Sequence, residues 1–102
     1  MSTSWTFEAD VWLWQSRDEG WHFVTLPRDV ADEIEFRYSG PSRGFGAVKV
    51  RVQIGDTTWD TSIFPSREQE SYVLPLKKKV RDAEGVEAGG TVEVEIELID
   101  AF

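Results

Sequence analysis

Thr91-Val92-Glu93-Val94-Glu95-Ile96-Glu97-Leu98-Ile99 alternates polar and apolar residues from Thr91 to Leu98. A period of two with β-branched residues is the signature of a half-buried strand. Val92, Val94, Ile96 and Leu98 must face a core, and Glu93, Glu95 and Glu97 must face water. A slip of one residue would carry three carboxylates inside, so the register is fixed by the cost of burying charge.

The same pattern recurs upstream. Val48, Val50, Val52 and Ile54 alternate with Lys49, Arg51 and Gln53. Gly55-Asp56 follows as a two-residue hairpin signal. Residues 57–64 return as a strand, with Trp59, Thr61 and Ile63 opposite Asp60 and Ser62, and Pro65 is expected to end it. Nearer the start, Trp5, Phe7, Ala9, Val11 and Leu13 share one face of a strand over 5–14. Residues 16–20 read as a turn and 20–26 as the second strand of a hairpin. Residues 71–76 form a further short extended segment.

Pro27 suits a helix start, and Val30, Ala31 and Ile34 recur at helical spacing, which predicts a short helix over 27–34. Residues 77–83 predict a second helix of one or two turns, stopped by Gly85. Residues 39–44, Ser-Gly-Pro-Ser-Arg-Gly, are loop-like and too short to link two domains. The expectation is a mostly β chain of six strands and two short helices, one domain over 1–102. Six strands with one apolar face each close most simply into a small barrel, which leaves no long edge.

An offset of fifty residues aligns Val24 with Leu74, Leu26 with Leu76 and Val30 with Val80. In both places a strand ending in leucine runs into a short helix after a hairpin. The offset hints at two related halves.

Composition narrows the function classes. At 102 residues, 40% hydrophobic and 29% charged, the chain is ordinary for a globular domain. A formal charge of −8 opposes general binding to phosphate backbones and favours solubility. There is no cysteine, hence no disulfide and no thiolate site, which is compatible with a cytoplasmic location. Neither a signal peptide nor a stretch long enough to span a bilayer is read.

Four pieces in order, Trp21 to Pro27, Gly55 to Pro65, Tyr72 to Arg81 and Gly85 to Val94, resemble the bacterial domain-of-unknown-function family DUF1905 over 7–98. The resemblance implies a double-split β-barrel, the architecture of AbrB-type transition-state regulators and the MazE antitoxin. Val80 to Val86 with Gly89 and Val92 looks like the half-barrel signature of those regulators. One chain here would supply both pseudo-twofold halves. The sequence departs from the family at Gly89-Gly90, where an Asp is usual, and at Ser66-Arg67-Glu68, where the family carries glycine. The resemblance brings no catalytic residue with it.

Lys77, Lys78, Lys79 and Arg81 make the one basic cluster, which Lys49 and Arg51 could extend. It reads either as an anion or nucleic-acid patch, or as a solvated helix face that neutralises Glu93, Glu95 and Glu97. The acidic balance favours the second reading. His22, the one histidine, has no visible catalytic or metal-ligating partner and reads as a half-buried strand residue. Asp56, Asp60 and Glu68 match no calcium loop, and Ser62 and Ser66 lack a nucleophile elbow. Trp12 is expected under a helix, while Trp14 could lie on either side.

The reading is therefore a non-enzymatic binding module without metal or cofactor. Its partner is a protein or a small molecule, nucleic acid and membrane being disfavoured, and the domain is expected as a monomer or weak dimer. A nucleic-acid binder and a small-molecule-binding barrel are the alternatives.

Overall fold

A computed structural model describes residues 4–16, 19–38 and 46–99. The elements run β1 (Ser4–Ser16), β2 (Glu19–Thr25), α1 (Arg28–Tyr38), β3 (Val48–Ile54), β4 (Thr57–Ser66), β5 (Ser71–Pro75), α2 (Lys78–Glu84) and β6 (Thr91–Leu98). The six strands close into a barrel in the order β1-β2-β5-β4-β3-β6, and every neighbouring pair is antiparallel.

Alternation explains the closure. In β3 every second residue is buried, from Val48 to Ile54, and in β6 Val94, Ile96 and Leu98 are buried between exposed glutamates. Val24, Leu74, Val50, Val52, Ile63, Val94 and Ile96 lose all their accessible surface, and no polar side chain is buried among the described residues. Removing this aliphatic surface from water is the main driving term for the fold. It also fills the described interior, so a ligand along the barrel axis would have to displace core side chains.

Exchanging β1 with β4, β2 with β5 and β3 with β6 leaves the strand order unchanged, a pseudo-twofold relation between the halves. Val24 pairs with Leu74 on that axis. Leu26 N donates to Tyr72 O at 3.0 Å, and Leu76 N donates to His22 O at 2.9 Å, the same bond repeated fifty residues on. The aligned pairs, Val24 with Leu74, Leu26 with Leu76 and Val30 with Val80, are all core residues.

The barrel is split because β1 and β4 each change partner partway. β4 pairs with β3 from Thr57 to Ile63, then with β5 from Phe64 to Ser66. β1 pairs with β6 from Ser4 to Asp10, then with β2 from Val11 to Ser16.

Several boundaries differ from the sequence expectation. Pro65 does not end β4. It pairs with Tyr72 beyond the last β3 partner, Ile63, where no second ladder needs its missing N–H. Helix α1 begins at Arg28 and runs to Tyr38 rather than ending at Ile34. In the extra turn Phe36 is 80% exposed and Glu35 is exposed, so neither extends the buried face of Val30, Ala31 and Ile34. Helix α2 covers Lys78–Glu84 and ends as expected at Gly85, which is left-handed at φ 64°. Gly55 has φ 59° while Asp56 does not enter the positive region, the pattern of a Gly-first type II′ hairpin. Trp12 is half-buried by β2 rather than by a helix. Its ring centroid lies 5.1 Å from that of Phe23, and Nε1 donates to Thr25 Oγ1 at 2.8 Å. Trp14 is exposed, opposite Trp21. The loop expected at 39–44 and part of the turn expected at 16–20 lie outside the described residues.

Candidate functional site

The split beside β4 determines where a site can form. Up to Ile63 the second edge of β4 has no strand partner among the described residues, because β5 joins only at Phe64. Across the gap stand the start of β2 and the end of β5, with α2 against β4. A cavity of about 310 Å³ opens between them. β2 contributes Trp21 and His22, β4 contributes Trp59, Asp60 and Thr61, and β5 contributes Pro75. The helix side contributes Lys77, Lys78 and Arg81.

Helix α2 is too short to be stable by propensity alone. Three attachments hold it. Val80 is buried in the barrel. Arg81 Nε donates to Leu76 O at 3.0 Å, tying the helix to the segment that enters it. At the far end, the Glu84 carboxylate accepts from Asp56 N at 3.3 Å and from Thr57 Oγ1 at 2.5 Å. Glu84 lies so close to the hairpin that a Cβ on Gly55 would sit 2.0 Å from its Oε1. The helix and its cations are thereby fixed relative to the gap.

The charge balance in the cavity favours an anion. Lys77, Lys78 and Arg81 face one carboxylate, Asp60. Asp60 is already engaged from outside the cavity, accepting from Arg51 Nε at 2.8 Å and Nη2 at 3.3 Å. Lys78 pairs with Asp82 one turn along the helix at 2.8 Å. Arg81 has no ion pair among the described residues. The Asp60 pairing raises the Arg51 pKa, and the bond from Lys78 lowers that of Asp82.

His22 sits at the cavity with its Nδ1 buried and without a hydrogen-bond partner. Burial and, second, the nearby Arg81 charge lower its pKa below the ordinary 6.5. The shift favours the neutral ring. A buried N–H without an acceptor is costlier than an unfilled lone pair, which favours the tautomer with the proton on Nε2.

The basic cluster divides. Lys77, Lys78 and Arg81 line the cavity, whereas Lys79 is exposed on the helix outside the lining. Arg51 reaches the site through Asp60. Lys49 lies exposed on β3, opposite Ser62. The glutamates of β6 are not neutralised by α2. They lie beside β1 and β3, with Glu97 opposite Arg51, while Lys78 takes its counter-ion from its own helix.

The acidic and hydroxyl residues weighed above do not converge. Asp56 lies in the hairpin, Asp60 pairs with Arg51, and Glu68 lies in the β4–β5 turn. Ser66 Oγ accepts from Gln69 N at 3.2 Å. No group of three potential metal ligands occurs among the described residues, and no described helix is long and apolar enough to cross a membrane. Sequence reasoning did not single out Trp21, Trp59 or Thr61 as site residues, and it read His22 as purely structural. No local sequence signal joins residue 22 to the second helix; the bond from Leu76 N to His22 O that does so follows from the β2–β5 pairing.

A second, open groove of about 520 Å³ adjoins the first and shares Trp21, Thr61 and Pro75 with it. Its other walls are mainly apolar, formed by Phe23, Phe64 and Val73.

The family described as Domain of unknown function (DUF1905) matches the chain over residues 7–96. No curated protein matches it.

Proposed function

The chain belongs to the DUF1905 family, and for this member we propose a binding module, not an enzyme, that takes a small anion in the split between β4 and the β2–β5 pair. The observation that carries the reading is the convergence of Lys77, Lys78, Arg81 and His22 on one cavity walled by Trp21 and Trp59. Arg81 supplies a planar guanidinium whose Nε is anchored on Leu76 O and whose terminal nitrogens are suited to a carboxylate or phosphate. Lys77 and Lys78 add charge at the rim. Neutral His22 offers one N–H and leaves the net positive charge to the other groups.

A binder fits better than a catalyst. A histidine that does general acid–base work is typically oriented by a second group. The Nδ1 of His22 has no such group among the described residues. A polyanion fits less well than a small anion, because Asp60 and Asp82 interrupt the basic surface and Glu97 lies beside Arg51.

The test is a titration with inorganic phosphate at low ionic strength, followed by the indole N–H resonances of Trp21 and Trp59. Saturable shifts are expected at both indoles, with a dissociation constant that rises about tenfold or more in Arg81→Gln, as expected for losing a charge-assisted bond. Lys79→Gln should leave it within about twofold. Absence of saturable shifts, or equal effects of the two substitutions, would overturn the reading.

A further inference from the structure

We propose that the anion bound in this split carries an apolar tail, which lies in the groove walled by Phe23, Phe64 and Val73. This rests on the anion reading and assigns the ligand class: a monomeric amphiphile with one carboxylate or phosphate head.

Continuity is the first argument. The cationic cavity and the apolar groove are not separate features, since Trp21, Thr61 and Pro75 wall both. A head held by Arg81 has its substituent directed into solvent or along this shared wall. The second argument is the surface it would cover. Trp21 is 50% exposed and Phe64 44% exposed on neighbouring parts of one outer sheet face. Large aromatics left in water beside a charged cavity are the usual composition of a ligand site, apolar walls with a few convergent polar groups. The third is size. At about 310 Å³ the cavity accommodates a head group, and the adjoining groove of about 520 Å³ leaves room for a chain. The polar end is defined chemically and the apolar end by area, so affinity should depend on the head and then grow with the tail.

Straight-chain carboxylates from butyrate to octanoate, all below their micellar concentrations, provide the test. A fully buried methylene adds about fourfold in affinity, and one half-buried in an open groove about twofold. The four methylenes that separate octanoate from butyrate should then tighten binding roughly 16- to 250-fold. Phe64→Ser should flatten this increase, with butyrate, whose tail is shortest, affected least. Arg81→Gln should weaken every member by a similar factor and keep the increase. Octanol should bind more weakly than octanoate by about tenfold or more.

A series with no dependence on chain length would overturn the amphiphile and leave the small-anion reading standing. Octanol binding as tightly as octanoate would overturn the proposal too, because the head would not be read. Failure of every carboxylate and of inorganic phosphate to bind would remove both.

Discussion

Replacing Gly55 with alanine probes how α2 is held over the cavity. Gly55 has φ 59°, in the left-handed region. A side chain there costs roughly 1–2 kcal/mol. The added Cβ would also sit 2.0 Å from Glu84 Oε1 and 2.8 Å from its Cδ, distances at which the carboxylate must move. Glu84 ends a flexible side chain, so it can swing away, and the cost is then that of the bonds it abandons. Those are the bonds from Asp56 N and Thr57 Oγ1. Hydrogen bonds to charged groups contribute roughly 1.5–3 kcal/mol each when well shielded, and less here because the pair is partly wet. About 1–3 kcal/mol for the two together gives a total near 3 kcal/mol. For a domain of this size that lowers Tm by roughly 12–24 °C. A double-mutant cycle separates the parts. In a Glu84→Ala background, Gly55→Ala should cost only the backbone part, leaving a coupling of about 1–3 kcal/mol by urea denaturation. Costs that add to within about 0.5 kcal/mol would refute the clamp and show that the helix is held by Val80 and Arg81 alone.

Two further outcomes are expected. The lowered pKa of His22 means that the unfolded chain takes up its proton first as pH falls. Its contribution to stability is therefore complete above pH 6.5, the ordinary value, and is lost as pH falls from there through the folded pKa. The His22 ring resonances should titrate with a midpoint below 6.5 in the free protein, and saturating phosphate should move that midpoint upward; a free midpoint at or above 6.5 contradicts the assignment. Asp60→Asn removes the one carboxylate from the cavity wall and should tighten phosphate binding by a few-fold, with little change in denaturation midpoint because its pair with Arg51 is exposed. Weaker phosphate binding in this variant would mean that Asp60 positions a ligand group rather than repels it.

Much of the fold was legible because a strand carries its own evidence. The alternation at 92–98 and 48–54 decides which residues face inward before any partner is known, and Val94, Ile96, Val50 and Val52 do so. The helices were expected from Pro27, where a strand stops and a helical spacing begins, and from Lys77, and they begin one residue later, at Arg28 and Lys78. What failed was local and has local causes. Beyond Ile34, Glu35 and Phe36 of α1 are exposed and do not mark its continuation. Pro65 continues a strand because one of its two edges has already lost its ladder.

The site was legible only in part. The cations at 77–81 are adjacent in sequence and stood out as a cluster. Trp21 and His22 lie more than fifty positions earlier, and nothing in the spacing around them announces a cationic neighbour. Their meeting with Lys77, Lys78 and Arg81 depends on the β2–β5 register, which sets Phe23 against Pro75. Trp59, Asp60 and Thr61 enter because β4 has not yet exchanged β3 for β5.

The amino-acid sequence by itself determined an acidic chain of six amphipathic strands, for which a closed barrel is the economical solution, and gave a hint of two related halves. Period-two alternation is a property of each segment and says which face is the apolar one; the packing then decides how far along the strand that face is buried, since Leu13 near the end of β1 is 41% exposed. Only the tertiary structure decided where the barrel splits, and with it which charges share a wall with which aromatic rings. That outcome depends on the residue at which one strand leaves a partner and joins another, Ile63 to Phe64 in β4. Such an exchange is set by the competition of two distant strands for one edge, which no local pattern records.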